Sequence, residues 1–292
     1  MTHKNYETPA AFRRALEDRL KARSREQGSD LQRLRRSVAF DRLLCRLFTK
    51  PDGQWILKGG YAMELRIQTA RATKDIDLSL PPGSIRADST NQNALLQEML
   101  QDALDPDLGD FLTFLVGAAM LDLDAAPYGG ARFPITSSMA GKPFVKFHLD
   151  LGVGDAADEP FETFNGTDWL AFAGIPQREF RGLSREGQFA EKLHAYTRPR
   201  EGRENFRVKD LIDMILLIDL GLDLSRQAHA IKRTFHGRDS HPLPSQLEAP
   251  PDFWSTPYSA LAQECGLPEE ILSGFTKVSD FLGMLGMENS DG

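Results

Sequence analysis

"LKGGYAMELRIQTARATKDIDLSL", residues 57–80, sets two small polar stations in an apolar frame: Lys58-Gly59-Gly60 and, fifteen residues after the second glycine, Asp75-Ile76-Asp77. The second station alternates charged and aliphatic residues with period two and stops at Pro81-Pro82, so "KDIDLSLP" reads as a strand. On a strand, residues i and i+2 point to the same side, about 6–7 Å apart. Asp75 and Asp77 therefore project together, while Ile76 and Leu78 pack behind them. Two like charges on one face repel, and a cation between them relieves the repulsion. Oxygen ligands with no supporting cysteine suit a hard ion such as Mg²⁺. An edge strand with a solvated charged face is the alternative.

The glycine station lies between a short apolar strand, "QWILK", and the helix-like "YAMELRIQ". A glycine pair there lets the backbone approach a ligand closely and presents helix N-terminal amides, which suit a phosphate. It is not a P-loop: GxxxxGK[ST] is absent and Lys58 precedes the glycines. A third carboxylate comes from "PFVKFHLDLGVGD", where Val145, Phe147, Leu149 and Leu151 line one face and Lys146, His148 and Asp150 the other. Asp150 is thus a candidate to converge with Asp75 and Asp77, and His148 shares its face. Thr73 falls on the Asp75/Asp77 face too, where an added phosphate would repel a nucleotide.

Outward from this centre, strand-like and helical segments mix up to about residue 180, and helices follow: "SREGQFAEKLHAYT", "NFRVKDLIDMILLIDLG", "SRQAHAIKRTFHG", "PYSALAQECG" and "PEEILSGFTKVSDFLGML". The pattern predicts an α+β domain over 1–178 and a C-terminal helical domain over 179–292. A chain of 292 residues is near the size at which one core stops growing, which also favours two domains. Two helices, about 8–26 and 30–49, precede the "PDG" turn at 51–53, and a further helix fits about 90–104. "HGRDSH" at 236–241 is similar to histidine-aspartate phosphodiesterase motifs, but its spacing is wrong and turn formers surround it. The tail "MENSDG" reads as disordered.

No apolar run approaches the ~18 residues needed to span a bilayer, and "MTHKNYETPA" lacks the apolar core of a secretory signal, so a cytoplasmic protein is expected. Cys45 and Cys265 lie far apart in apolar segments, as buried thiols do. The net charge of −7 argues against nonspecific coating of nucleic acid. Yet residues 1–50 carry thirteen Lys/Arg against six Asp/Glu, a basic arm on an acidic body. That arm reads as a pair of amphipathic helices with Arg-rich outer faces, as a surface for a polyanion, or as both at once.

Taken together, Gly59-Gly60, Asp75-x-Asp77 and a later strand carboxylate resemble the nucleotidyltransferase fold of the DNA polymerase β superfamily. More narrowly, "LKGGYAMELR…RATKDIDL" is similar to the first half of the AbiEii-type toxins, the group that includes the mycobacterial MenT toxins. That family continues with a lysine on a helix and an R-x-K-D-x-x-D-like element. Here "AEKLHAYT" supplies Lys192, and "RVKDLIDMI" supplies Arg207, Lys209, Asp210 and Asp213. The likeness runs through roughly residues 50–220, with a somewhat long interval between Gly60 and Asp75.

The resemblance implies a nucleotidyltransferase-like mixed sheet flanked by helices, and a Mg²⁺-dependent transfer from an NTP. It implies Asp75, Asp77 and Asp150 as ligands of two ions, with Asp150 also activating the acceptor hydroxyl. Lys58, Gly59, Gly60, Arg66, Lys192 and Asp210 would hold the nucleotide, and Lys192 and Asp213 would join the catalytic set. The implied acceptor is RNA, most specifically the 3′ end of tRNA, contacted by Arg33, Arg35 and Arg36. Blocked translation, a role in phage defence and a cognate antitoxin follow from the same likeness. Two rival readings use the same residues differently: transfer to a protein or small molecule, and a noncatalytic module binding RNA or a partner.

Overall fold

The computed structural model describes residues 6–50, 53–85, 91–123, 126–154, 160–200 and 202–286. The tail from 287 onward and residues 51–52 of the "PDG" turn lie outside them. The described residues fall into two compact units. One is drawn from Met1–Leu65, Ala72–Ala157 and Glu162–Gly182, the other from Arg66–Arg71, Asp158–Phe161 and Leu183–Gly292.

The first unit opens with α1 (Pro9–Gln27), whose Thr8 side chain accepts from the Ala11 N–H, and α2 (Leu31–Leu47), capped in the same way by Asp30. Each such cap is worth about 1 kcal/mol. There follow β1 (Ile56–Lys58), α3 (Gly59–Arg66), β2 (Asp75–Leu80), α4 (Gln92–Leu104), β3 (Leu112–Val116), β4 (Leu121–Asp122), β5 (Gly130–Met139), β6 (Lys142–Val153), β7 (Phe161–Asn165) and β8 (Glu179–Leu183). Among the described residues these strands form one mixed sheet, ordered β3-β5-β6-β2-β1-β8-β7, with β4 paired to β5. The β2–β6 and β1–β8 pairs are parallel, while β1–β2 and β5–β6 are antiparallel. Strands β7 and β8 come from a stretch to which the sequence pattern assigned no element.

Period-two alternation sets the sheet's faces. Ile76, Leu78 and Leu80 of β2 and Leu149, Leu151 and Val153 of β6 are buried in the core, with Val38, Phe40, Leu43 and Leu44 of α2 among its other members. Phe40 meets Phe147 with ring centroids 4.8 Å apart. The core face leaves Asp75, Asp77, His148 and Asp150 to the opposite side, each half-buried.

The second unit is helical: α5 (Arg185–Thr197), α6 (Val208–Asp219), α7 (Leu224–Arg238), α8 (Ser255–Cys265) and α9 (Ile271–Met284). Phe189, Leu193, Leu211, Ile212, Ile231, Trp254 and Tyr258 are buried in it. Short segment Arg66–Arg71 joins this unit although it lies within the N-terminal part of the chain. Its arginines explain why: Arg66 donates to the Leu183 carbonyl at 2.9 Å and to Gln188, and Arg71 pairs with Asp213. Cys45 and Cys265 are free and buried. Among the described residues no helix is long and apolar enough to cross a membrane.

Candidate active site

The register of the first unit gathers polar side chains on one face. Lys58 opposes Asp77 across β1 and β2, Asp75 opposes His148 and Asp77 opposes Asp150 across β2 and β6, and Arg132 opposes Asp150 across β5 and β6. Residues opposed on adjacent strands share a face. His148 Nδ1 lies 3.4 Å from Asp75 Oδ1.

The glycine pair fits directly against these carboxylates. Gly59 has φ +65°, the left-handed region that glycine enters without strain, and Gly60 N–H donates to Asp77 Oδ2 at 3.3 Å. A Cβ on Gly59 would stand 1.9 Å from Asp77 Oδ2, and one on Gly60 would stand 2.5 Å from Thr73 Oγ1. Helix α3 begins at Gly59 itself, so its first amides open beside Asp77. Two half-exposed carboxylates are an oxygen donor set that fits a hard divalent ion at Asp75 and Asp77.

Asp150 is placed differently from its two partners. Both its oxygens accept from one guanidinium, Arg132 Nε at 2.7 Å and Arg132 Nη2 at 2.8 Å. The hydrogen bond to Asp150 raises the Arg132 guanidinium pKa above its ordinary value; partial burial opposes this, and the charges of Asp150, Asp75 and Asp77 add to it. Among the described residues no group of three or more His, Cys, Asp and Glu side chains is arranged to hold a metal ion. Arg132 had no signal in the sequence, because its partner lies eighteen residues away on the next strand.

The second unit holds its own charged cluster. Lys192 Nζ on α5 lies 3.0 Å from Asp210 Oδ1 and 2.9 Å from Asp213 Oδ2 on α6. Asp213 is fully buried and also accepts from Arg71 Nε at 2.9 Å and Nη2 at 2.7 Å. Burial works against both charges. Asp210 and Asp213 nevertheless hold the Lys192 ammonium above its ordinary value, and Lys192 and Arg71 hold the Asp213 carboxyl below its own. Arg207, half-exposed, reaches Asp210 at 3.4 Å. Arg71 was not foreseen either. His194 on α5 turns to a separate polar knot, with Ser240 Oγ 2.9 Å from its Nε2 and Arg238 Nη1 3.5 Å from its Nδ1.

Much of the basic arm is engaged inside the first unit. Arg35 forks onto Glu17, with Nη2 at 2.6 Å, and Arg33 pairs with Glu64 at 3.3 Å. Arg42 and Arg46 both grip the buried Asp110 at 2.7 Å, and Arg13 donates to the carbonyls of Met139, Lys142 and Pro143. Arg36 is half-buried.

The family model described as "Nucleotidyl transferase AbiEii toxin, Type IV TA system" matches residues 42–273. No curated protein matches the chain. Two crystal structures from Helicobacter pylori are similar to it. One is of JHP933, with 15% identity and a TM-score of 0.43, covering 88% of this chain and 97% of that one. The other, named "putative nucleotidyltransferase", has 13% identity and a TM-score of 0.44, covering 88% of this chain and 96% of that one. With the family model spanning the sheet, the glycine pair, the Asp75/Asp77 strand and the α5–α6 cluster alike, this chain belongs to the AbiEii nucleotidyltransferase toxin family.

Proposed function

We propose that this chain transfers nucleotides from an NTP to an RNA acceptor, the 3′ end of tRNA, and that a cognate antitoxin restrains it. The observation that carries the proposal is the packing of Asp77 against a side-chain-free glycine pair at the start of α3, with Asp75 on the same strand face. In this reaction the acceptor oxygen bonds to the α-phosphorus, the bond to the bridging oxygen of the β-phosphate breaks, and pyrophosphate leaves. Mg²⁺ held by Asp75 and Asp77 would supply charge neutralisation at the attacking and leaving oxygens.

The residues of the chain do the positioning. The Gly59 and Gly60 backbone and Lys58 receive the triphosphate, because only a residue without Cβ leaves room beside Asp77. Asp150, fixed by Arg132, orients the acceptor hydroxyl. Roles for Arg66, Lys192, Asp210 and Asp213 in nucleotide handling rest on the family pattern. A tRNA acceptor, blocked translation and phage defence rest on the likeness to the AbiEii-type toxins.

A second reading, transfer to a protein or small molecule, is favoured by the internal ion pairs of Arg33 and Arg35, which subtract from a free basic arm. Incubating purified protein with total cellular RNA and protein, Mg²⁺ and each labelled NTP separates the two. Label in a tRNA-sized band supports the first reading, and label confined to protein replaces it with the second.

A further inference from the structure

We infer that Phe206 and Phe253 form a stacking platform for an unpaired base of the RNA acceptor, with Arg203 and Lys209, on either side of Phe206 along the chain, meeting its phosphates. This rests on the reading that the acceptor is RNA, and the platform lies wholly within the second unit.

The segment between α5 and α6 is a basic stretch to which nucleotide transfer assigns little. Residues 198–209 carry Arg198, Arg200, Arg203, Arg207 and Lys209 against Glu201 and Glu204. Arg207 reaches Asp210 at 3.4 Å, while among the described residues Arg198, Arg203 and Lys209 form no ion pair. Arg203 and Lys209 are exposed. Partial burial and the like charges of Arg207 and Arg198 hold the Arg200 guanidinium below its ordinary value, with Asp210 opposing them. These cations are close enough to repel one another, and a polyanion relieves that repulsion.

Phe206 is 69% exposed and Phe253 44%, although their ring centroids lie only 5.5 Å apart. Covering each other therefore leaves most of Phe206 in water. The backbone beneath the rings is fixed. Asn205 Nδ2 donates to the Tyr196 carbonyl at 3.0 Å, Trp254 Nε1 donates to the Asn205 carbonyl at 2.6 Å, and the Arg207 N–H donates to Asn205 Oδ1 at 3.0 Å. Trp254 is buried and meets Tyr196 edge-on, with centroids 5.6 Å apart. Asn205 and Trp254 thus tie the two stretches of chain together from within, and their neighbours Phe206 and Phe253 are left outside.

Rings held in this way lose little freedom on binding, and every base offers a π-face to them. Exposed cations supply the other half of single-strand recognition, attraction for the backbone. The rings' exposed chain neighbours are charged, Arg207 after Phe206 and Asp252 before Phe253. That keeps the apolar patch small, which suits a base better than a protein face.

The test is fluorescence anisotropy of the full-length protein with a short fluorescein-labelled single-stranded RNA, and with the same RNA annealed to its complement. Circular dichroism confirms folding of each variant. Wild type is expected to bind the single strand about tenfold tighter than the duplex, and Phe206→Ala and Phe253→Ala each to weaken that binding about tenfold. Phe206→Leu should lose nearly as much, and Phe206→Tyr should stay within about twofold of wild type. Arg203→Gln/Lys209→Gln should flatten the slope of log affinity against log salt by about 1.4. Unchanged binding in both alanine variants would overturn the inference. Full binding by Phe206→Leu would do the same, because it marks a generic apolar contact of the kind a protein partner makes. Labelling of total RNA from NTPs separates the platform from the acceptor. Alanine variants that bind and label RNA as wild type does would remove the platform and keep the RNA acceptor, whereas wild type that neither binds nor labels RNA would remove both.

Discussion

Gly59 and Asp77 fit each other so closely that a single added methyl carbon on the glycine would sit 1.9 Å from the Asp77 carboxylate oxygen. Gly59 also has φ +65°, which costs an alanine roughly 1–2 kcal/mol. Gly59→Ala therefore has to move either Asp77 or the start of α3. A displacement of about 1 Å at a reacting centre costs on the order of 100-fold in rate. Nucleotide transfer by Gly59→Ala should fall at least that far, while its thermal midpoint drops only a few degrees. Wild-type rates would show that the approach is not needed.

In the second unit Asp213 is fully buried between Arg71 and Lys192. Removing one member of such a group strands its partners, at about 3–5 kcal/mol. Denaturant unfolding should show that loss in Asp213→Ala, whereas Arg207→Ala, exposed at its end of the cluster, should cost under about 1 kcal/mol. Because Asp213 titrates below the usual carboxylate range, its contribution is present above an ordinary Asp pKa of 3.8 and disappears as pH falls through the depressed value. An inactive Asp213 variant therefore needs its folding checked before a catalytic role is credited.

Asp41 behaves in the opposite sense. Burial raises its carboxyl from 3.8 to about 7, against the pull of Arg42 and of the Thr167 N–H that donates to it at 2.9 Å. The folded chain holds this proton where the unfolded chain has released it, so stability declines as pH rises from about 4 to 7 and is flat above. Asp41→Asn should flatten that decline and raise stability at pH 8 by a few kcal/mol. Unfolding curves at pH 5 and pH 8 for both proteins measure it; parallel shifts in the two would exclude Asp41 as the cause.

The Arg35–Glu17 pair offers a test of the basic arm. Arg35→Glu should destabilise by about 1–2 kcal/mol through repulsion of Glu17, and adding Glu17→Arg should restore most of it. If RNA labelling follows stability in this series, Arg35 acts as a structural ion pair. A labelling defect that persists in the restored double variant would make Arg35 an RNA contact.

What the sequence made legible follows the range of its physical signals. Period two placed Asp75 and Asp77 on one face, and the same rule in "FVKFHLDL" put His148 and Asp150 on a common face. The register then aligned the two strands. Caps and apolar spacing located α1, α2 and the C-terminal helices. Arg132 and Arg71 escaped because each acquires its meaning from a partner across strands or helices, eighteen residues away for one and 142 for the other. Arg33 and Arg35 looked like free charge for a similar reason: Glu64 and Glu17, which engage them, are not their neighbours along the helix.

The central claim is nucleotidyl transfer at the Asp75/Asp77 face, and pyrophosphate release measures it most directly. Purified protein, total RNA, Mg²⁺ and a mixture of NTPs should release pyrophosphate in step with nucleotide incorporated. A folded Asp75→Asn/Asp77→Asn protein should release at least 1,000-fold less. Equal release by that variant, or none by wild type across all four NTPs, would contradict the account.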